Sequence, residues 1–186
     1  RAAELHDELL FKQPESSNLG DCAICCLPMP LDSNSMLICC GKVICNGCNH
    51  AKKMSEEEAS LDPSCPICQE PAPTTKDLEK FMTKRIKMND PIAIRHEGIE
   101  QSRKGDYQSA FKNLTKAAEL GNADAHYQLS LLYQNGHGVE KDKQQEVHHR
   151  ELAAIGGHPT ARYDLGCEEW DNNDWDNNDN AERAVK

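Results

Sequence analysis

Nine of the ten cysteines in this chain fall between Cys22 and Cys68, in the order CAIC, CC, CNGC and CPIC. In Cys22/Cys25, Cys45/Cys48 and Cys65/Cys68 two residues separate the thiols, the gap that lets a tight turn aim both sulfurs at one tetrahedral ion. Adding the adjacent Cys39 and Cys40, and setting Cys26 aside as a spare thiol, leaves eight ligands. Two four-coordinate zinc ions need that number, so the segment reads as a module with two structural Zn2+ ions. A segment of about 50 residues buries too little apolar surface to fold alone, and metal binding supplies the missing free energy.

Composition narrows the function classes. A net charge of −10 and a pI near 5.2 over 186 residues argue against a phosphate-binding surface, because nucleic-acid binders concentrate Lys and Arg on one face. The local cluster Lys80, Lys84, Arg85 and Lys87 reads as the solvated face of a helix. No run approaches the roughly 20 apolar residues needed to cross a bilayer, and the start RAAELHDELLFK is too acidic for a secretory signal. The expectation is a soluble, intracellular protein with no membrane and no nucleic-acid partner, its cysteines metal ligands rather than disulfides. A beginning at Arg1 and an end at AERAVK, inside a helical pattern, read as a fragment.

The run Cys22-x2-Cys25, thirteen residues, Cys39-Cys40-Gly41-Lys42-Val43-Ile44-Cys45-x2-Cys48, sixteen residues, Cys65-Pro66-Ile67-Cys68 resembles a RING finger. The resemblance implies an interleaved ligand set, with Cys22, Cys25, Cys45 and Cys48 on one ion and Cys39, Cys40, Cys65 and Cys68 on the other. Lys42 stands where many RING fingers carry a histidine ligand, so one slot of the second ion is open to Cys39 or to His50. The family binds a ubiquitin-conjugating enzyme and promotes ubiquitin transfer, using an apolar residue inside the first CxxC and a proline inside the last. Ile24 and Pro66 match these positions. Gln69 follows the last cysteine, where the family often has an arginine, and lacks its charge and five-donor fork. Lys52 stands where a bulky apolar residue is usual. These residues imply a RING-type ubiquitin ligase; the rival implication is a zinc-stabilised interaction scaffold without ligase activity. The run Glu56, Glu57 and Glu58 reads as a solvated helix face.

Beyond Thr75 the pattern turns helical, with Leu78, Phe81, Met82 and Ile86 on one face. The chain then repeats itself: AAELGNADAHYQL from Ala117 and AAIGGHPTARYDL from Ala153 align at an offset of 36 residues. A period in the thirties with alanines, glycines and periodic apolar residues marks stacked helix pairs. Gly136, Gly138, Val139 and Asp142 match the G-x-G-V-x-x-D turn of a Sel-one-like repeat, a relative of the tetratricopeptide repeat, and the two halves together are similar to RING plus repeat proteins of diatoms and related algae. The fold class expected is a small zinc-stabilised α+β RING finger followed by an all-α solenoid of helix pairs.

The expected organisation is a tail over 1–18, the zinc finger over 19–73, a connecting helix over 74–89, a degenerate unit over 90–122, a Sel-one-like repeat over 123–158 and a partial unit over 159–186. Such an array binds a protein client or adaptor, and nothing in it assembles a nucleophile and base. His148 and His149, being adjacent on a helix, point to different sides and read as solvated or packing residues. Cys167 reads as a buried small residue. The WDNNDWDNND stretch favours a turn or disorder, and it lacks the glycine and terminal glutamate of a calcium loop.

Overall fold

The structure, a computed structural model, describes residues 20–29 and 35–171. It divides into two compact units, one within Ser16–Ile94 and the other within Arg95–Lys186.

The first unit has little regular structure. Strands β1 (Ser35–Met36) and β2 (Val43–Ile44) pair antiparallel, Ser35 opposite Ile44 and Met36 opposite Val43. Helix α1 (Asn46–Ala59) follows at once, with Cys45 as its N-cap, and ends at Ser60 in the left-handed region. Helix α2 covers Thr75–Lys87. The core around the cysteines is small: Cys22, Met29 and Ile44 are buried, with Leu37, Val43, Cys45 and Cys48 packed against them.

Two charged side chains behave differently from their sequence reading. Arg85 is not on a solvated face; only 7% of the residue is exposed. Its guanidinium donates to Asp90 Oδ2 at 2.6 and 3.0 Å and to Met36 Sδ at 3.1 Å. It also lies over Gly41, where a Cβ would come within 2.6 Å of Nη2. Lys80, Lys84 and Lys87 do face solvent. Glu56 likewise turns inward from its acidic run, accepting from the Ser64 amide at 2.9 Å and from Lys52 Nζ at 3.0 Å. In both cases a fixed polar partner outweighs the hydration that an isolated charge would keep.

The second unit is helical. Helix α3 (Pro91–Arg103) enters it, followed by α4 (Tyr107–Glu119), α5 (Ala123–Asn135), α6 (Lys143–Ile155) and α7 (Pro159–Asp171). Each chain reversal is capped by a side chain in the way sequence chemistry favours. Asp106 accepts from the Ser109 amide, Asn122 from Ala125, and Asp142 from Gln144 and Gln145. The offset of 36 residues is visible in the packing: Ala117 and Ala153 are both fully buried, as are Ala125 and Ala161. Asn122 and His158 are also equivalent, and His158 Nδ1 accepts from the Ala161 amide as Asn122 does from Ala125.

The glycine turn has a steric reason. Gly138 has φ +74, and a Cβ there would lie 2.7 Å from the Tyr107 carbonyl oxygen. That close approach lets Tyr107 stack on His137, centroids 4.3 Å apart, and Gln108 donate to the Gly138 carbonyl at 2.7 Å. Tyr127 stacks on His158 and donates to Asp164, whereas its equivalent Tyr163 is 71% exposed. Cys167 is half-buried rather than buried. The duplicated Trp/Asp/Asn stretch begins inside α7, at Trp170 and Asp171, and the rest of it lies outside the described residues.

Candidate metal centre

Three segments of the first unit share one backbone frame. In each, the amide of residue i donates to the carbonyl of i+5, and the amide of i+4 donates back to the carbonyl of i. The bonds are Cys22 to Leu27 and Cys26 to Cys22, Leu37 to Lys42 and Gly41 to Leu37, Cys65 to Glu70 and Gln69 to Cys65, all between 2.7 and 2.9 Å. The flanking residues pair in all three: Asp21 with Pro28, Met36 with Val43, Ser64 with Pro71. Position i+4 has positive φ each time, at Cys26, Gly41 and Gln69.

This frame explains the adjacent cysteines. In the first and third knuckles the thiols occupy positions i and i+3, giving Cys22/Cys25 and Cys65/Cys68. In the middle knuckle Leu37 takes position i, Cys40 takes i+3, and Cys39 takes i+2, where the others carry Ile24 and Ile67. The hairpin β1–β2 holds this knuckle, and the Arg85 guanidinium closes over its Gly41. The fourth pair comes from a helix start, where Cys45 Sγ accepts from the Cys48 amide at 3.4 Å.

The thiols gather into two foursomes, Cys22, Cys25, Cys45 and Cys48, and Cys39, Cys40, Cys65 and Cys68, with the sulfurs of each within 4.8 Å of one another. Cys39, and not His50, stands with Cys40, Cys65 and Cys68; Cys26 stands with neither group. Zinc–sulfur bonds of about 2.3 Å at tetrahedral angles separate ligating sulfurs by about 3.8 Å. The recorded contacts are 3.9 Å for Cys25–Cys45, 3.7 Å for Cys40–Cys65 and 3.4 Å for Cys39–Cys68. The thiols are free of disulfides, so the donor set and spacing fit a divalent, thiophilic cation in each group.

Electrostatics point the same way. Burial opposes ionisation of Cys22, yet amides of Cys25, Cys45 and Ile24 bring its thiol down to about 6. Cys65 repeats this, with burial outweighed by the amides of Cys68 and Ile67, and falls to about 7. Their neighbours move oppositely: Cys48 is pushed up to about 12, chiefly by its contact with Cys45, and Cys39 and Cys40 are raised by burial and by the crowded sulfurs. Four thiolates cannot share so small a volume without a cation to neutralise them.

The other residues singled out by sequence are at the surface. Ile24 is 42% exposed, and Pro66 and Gln69 are also exposed, so the tips of the first and third knuckles carry apolar side chains outward. Lys52 is held by Glu56 instead of projecting freely. The middle knuckle escaped sequence reading because its first position is Leu37. Its signal would have been Gly41, four residues on.

In the helical unit His148 is exposed, while His149 is half-buried and meets a residue the sequence did not suggest, His126 of α5. Burial holds both rings below the ordinary histidine range, His149 at about 4.

Comparison with known proteins places the helical unit. Residues 94–122 and 123–158 match the family model of the Sel1 repeat. The chain is also similar to the crystal structure of a Sel1 repeat protein from Oxalobacter formigenes, with 26% identity and a TM-score of 0.48 over 64% of this chain and 46% of that one. The chain thus spans less than half the length of that solved relative. No curated protein matches. Within the helical unit, the helix pairs α3–α4 and α5–α6 thus carry the two segments that match the Sel1 repeat. None of the described helices is long and apolar enough to cross a membrane.

Proposed function

We propose that the cysteine unit is a RING-type zinc finger whose exposed knuckle tips recruit a ubiquitin-conjugating enzyme, while the Sel1 repeats hold a protein client or adaptor. The observation that carries this reading is the alternation of the foursomes. Taken in chain order, the first and third pairs form one group and the second and fourth form the other. Consecutive zinc ribbons would pair first with second. Two closed four-thiolate sites leave no open coordination position, so zinc here is structural and supplies folding free energy alone. Cys22, Cys25, Cys45 and Cys48 hold one ion; Cys39, Cys40, Cys65 and Cys68 hold the other. Ile24 and Pro66 offer the apolar contact to the conjugating enzyme, and Gln69 offers an uncharged donor and acceptor.

A second reading, a zinc-stabilised scaffold without ligase activity, draws on Gln69 and Lys52. Gln69 lacks a guanidinium, and Lys52 is tied to Glu56. The two readings separate in one assay, with zinc-loaded protein, ubiquitin, activating enzyme and a panel of conjugating enzymes. The ligase reading expects faster ubiquitin discharge with at least one carrier, abolished by Ile24→Ala at unchanged zinc content and by Cys45→Ser with loss of zinc. Discharge at the background rate with every carrier would leave the scaffold reading standing.

A further inference from the structure

The middle knuckle is built differently from its two neighbours, and Arg85 meets it where the difference lies. In the first and third knuckles, positions i and i+3 both carry thiols of one foursome, Cys22 with Cys25 and Cys65 with Cys68. In the middle one position i is Leu37, which packs on the core of Cys22, Met29 and Ile44, so Cys39 and Cys40 both leave from the far end of the turn. Met36 and Gly41 flank that turn, and the Arg85 guanidinium meets both. Its Nη1 donates to Met36 Sδ at 3.1 Å, and a Cβ on Gly41 would lie 2.6 Å from Nη2 and 2.8 Å from Cζ. Positive φ does not by itself demand glycine at position i+4, because Cys26 and Gln69 adopt it with side chains. What excludes a side chain at Gly41 is the guanidinium lying over it.

Arg85 is itself held from another side. Its Nε and Nη2 donate to Asp90 Oδ2 at 3.0 and 2.6 Å, and Asp90 Oδ1 accepts from the amides of Ile92 and Ala93 at the start of α3. A planar fork of donors with partners at fixed places has one orientation, which a single ammonium on a flexible stem would not keep. We propose that Arg85 is a positioning residue of the second metal centre: by bridging Met36 and Gly41, its guanidinium fixes the turn that presents Cys39 and Cys40 to the ion they share with Cys65 and Cys68. This inference rests on the zinc-finger reading given above. Groups that orient metal ligands without touching the metal change its affinity by about 10–100-fold when they are removed.

The test loads the full chain with zinc and titrates it with a chelator of known affinity, while cysteine Cβ signals in the NMR spectrum separate zinc-bound from free thiols. Arg85→Ala should weaken the ion of the second foursome by about 10–100-fold and leave that of the first nearly unchanged. Gly41→Gln, which copies Gln69 of the third knuckle, should displace the guanidinium and weaken the same ion. Combined with Arg85→Ala it should add little further, because both changes remove one contact. The inference is overturned if Arg85→Ala keeps the second ion as tightly as the parent, if both ions weaken alike, or if the two losses add. If Arg85→Ala fails to fold, Gly41→Gln and Arg85→Lys decide by the same criterion, selective against equal loss. A parent that binds two ions with no selective variant overturns this inference alone; a parent that binds no zinc overturns the zinc-finger reading with it.

Discussion

The cysteine unit buries Cys22, Met29 and Ile44 around its first foursome, and two of its four segments are knuckles of backbone hydrogen bonds without a helix or a ladder. The helical unit buries Ala110, Leu114, Ala117, Ala125, Leu129, Leu132, Ala153, Ala154 and Ala161 along stacked helices. On the proposed zinc-finger reading the first depends on groups that repel one another until a cation arrives; the second depends on small side chains that let helices approach closely. Two ways of ordering a short chain thus stand side by side in one sequence, and they should fail under different insults.

Removing metal is the sharpest way to break the comparison and has the largest expected effect. A strong chelator should unfold the cysteine unit, since its small core cannot replace the ligand bonds. Amide signals of residues 20–72 should collapse to unfolded positions, while those of α4 to α6 persist and most of the far-ultraviolet helical signal remains. Loss of the α4 to α6 signals along with them would show that the repeats too depend on the metal.

The comparison sharpens within the helical unit itself. At the offset of 36 residues, Ala110, Leu114 and Leu132 of one layer correspond to Glu146, Arg150 and Glu168 of the next. Arg150 is 2% exposed and Glu146 4%. Arg150 donates to Glu146 at 2.6 Å and also pairs with Glu168, and Lys143 reaches Glu168 at 2.8 Å. An apolar layer has been replaced by an ion network. Arg150→Leu alone should cost about 3 kcal/mol in urea unfolding, because it leaves two carboxylates without their main partner. The triple change Glu146→Ala, Arg150→Leu and Glu168→Leu, which copies the neighbouring layer, should recover most of that loss. A single variant as stable as the parent would mean that the network is solvated in solution.

What the sequence made legible follows from the kind of constraint each residue carries. Metal ligands must appear as cysteines at turn spacing, and repeats must appear as a period, so Cys22/Cys25, Cys65/Cys68 and the Ala117/Ala153 register could be read directly. The partners of charged side chains could not. Arg85 and Lys84 look alike in a helical pattern, and only the hairpin that brings Gly41 and Met36 beneath the guanidinium tells them apart. The same holds for Glu56 against Glu57, and for His149, whose counterpart His126 lies on the preceding helix. The positive φ at Cys26 and Gln69 was hidden for another reason, since no glycine marks either position.

Acid should distinguish the two layers of the repeat, with the smallest effect of the three. Burial opposes ionisation of Glu168, but hydrogen bonds from Lys143 and Arg150 hold its carboxyl below the ordinary glutamate range. As pH falls through about 4.3, the usual glutamate value, the unfolded chain takes up a proton at this position before the folded chain does. The network's contribution is therefore complete above that range and declines below it, until the folded carboxyl also protonates. The apolar layer of Ala110, Leu114 and Leu132 has no group to titrate. Other carboxylates titrate in the same range, so the measurement is a difference: thermal midpoints of the parent and Glu168→Gln should converge between pH 6 and pH 3. Parallel curves would assign the acid sensitivity elsewhere and leave the α6–α7 contact resting on packing alone.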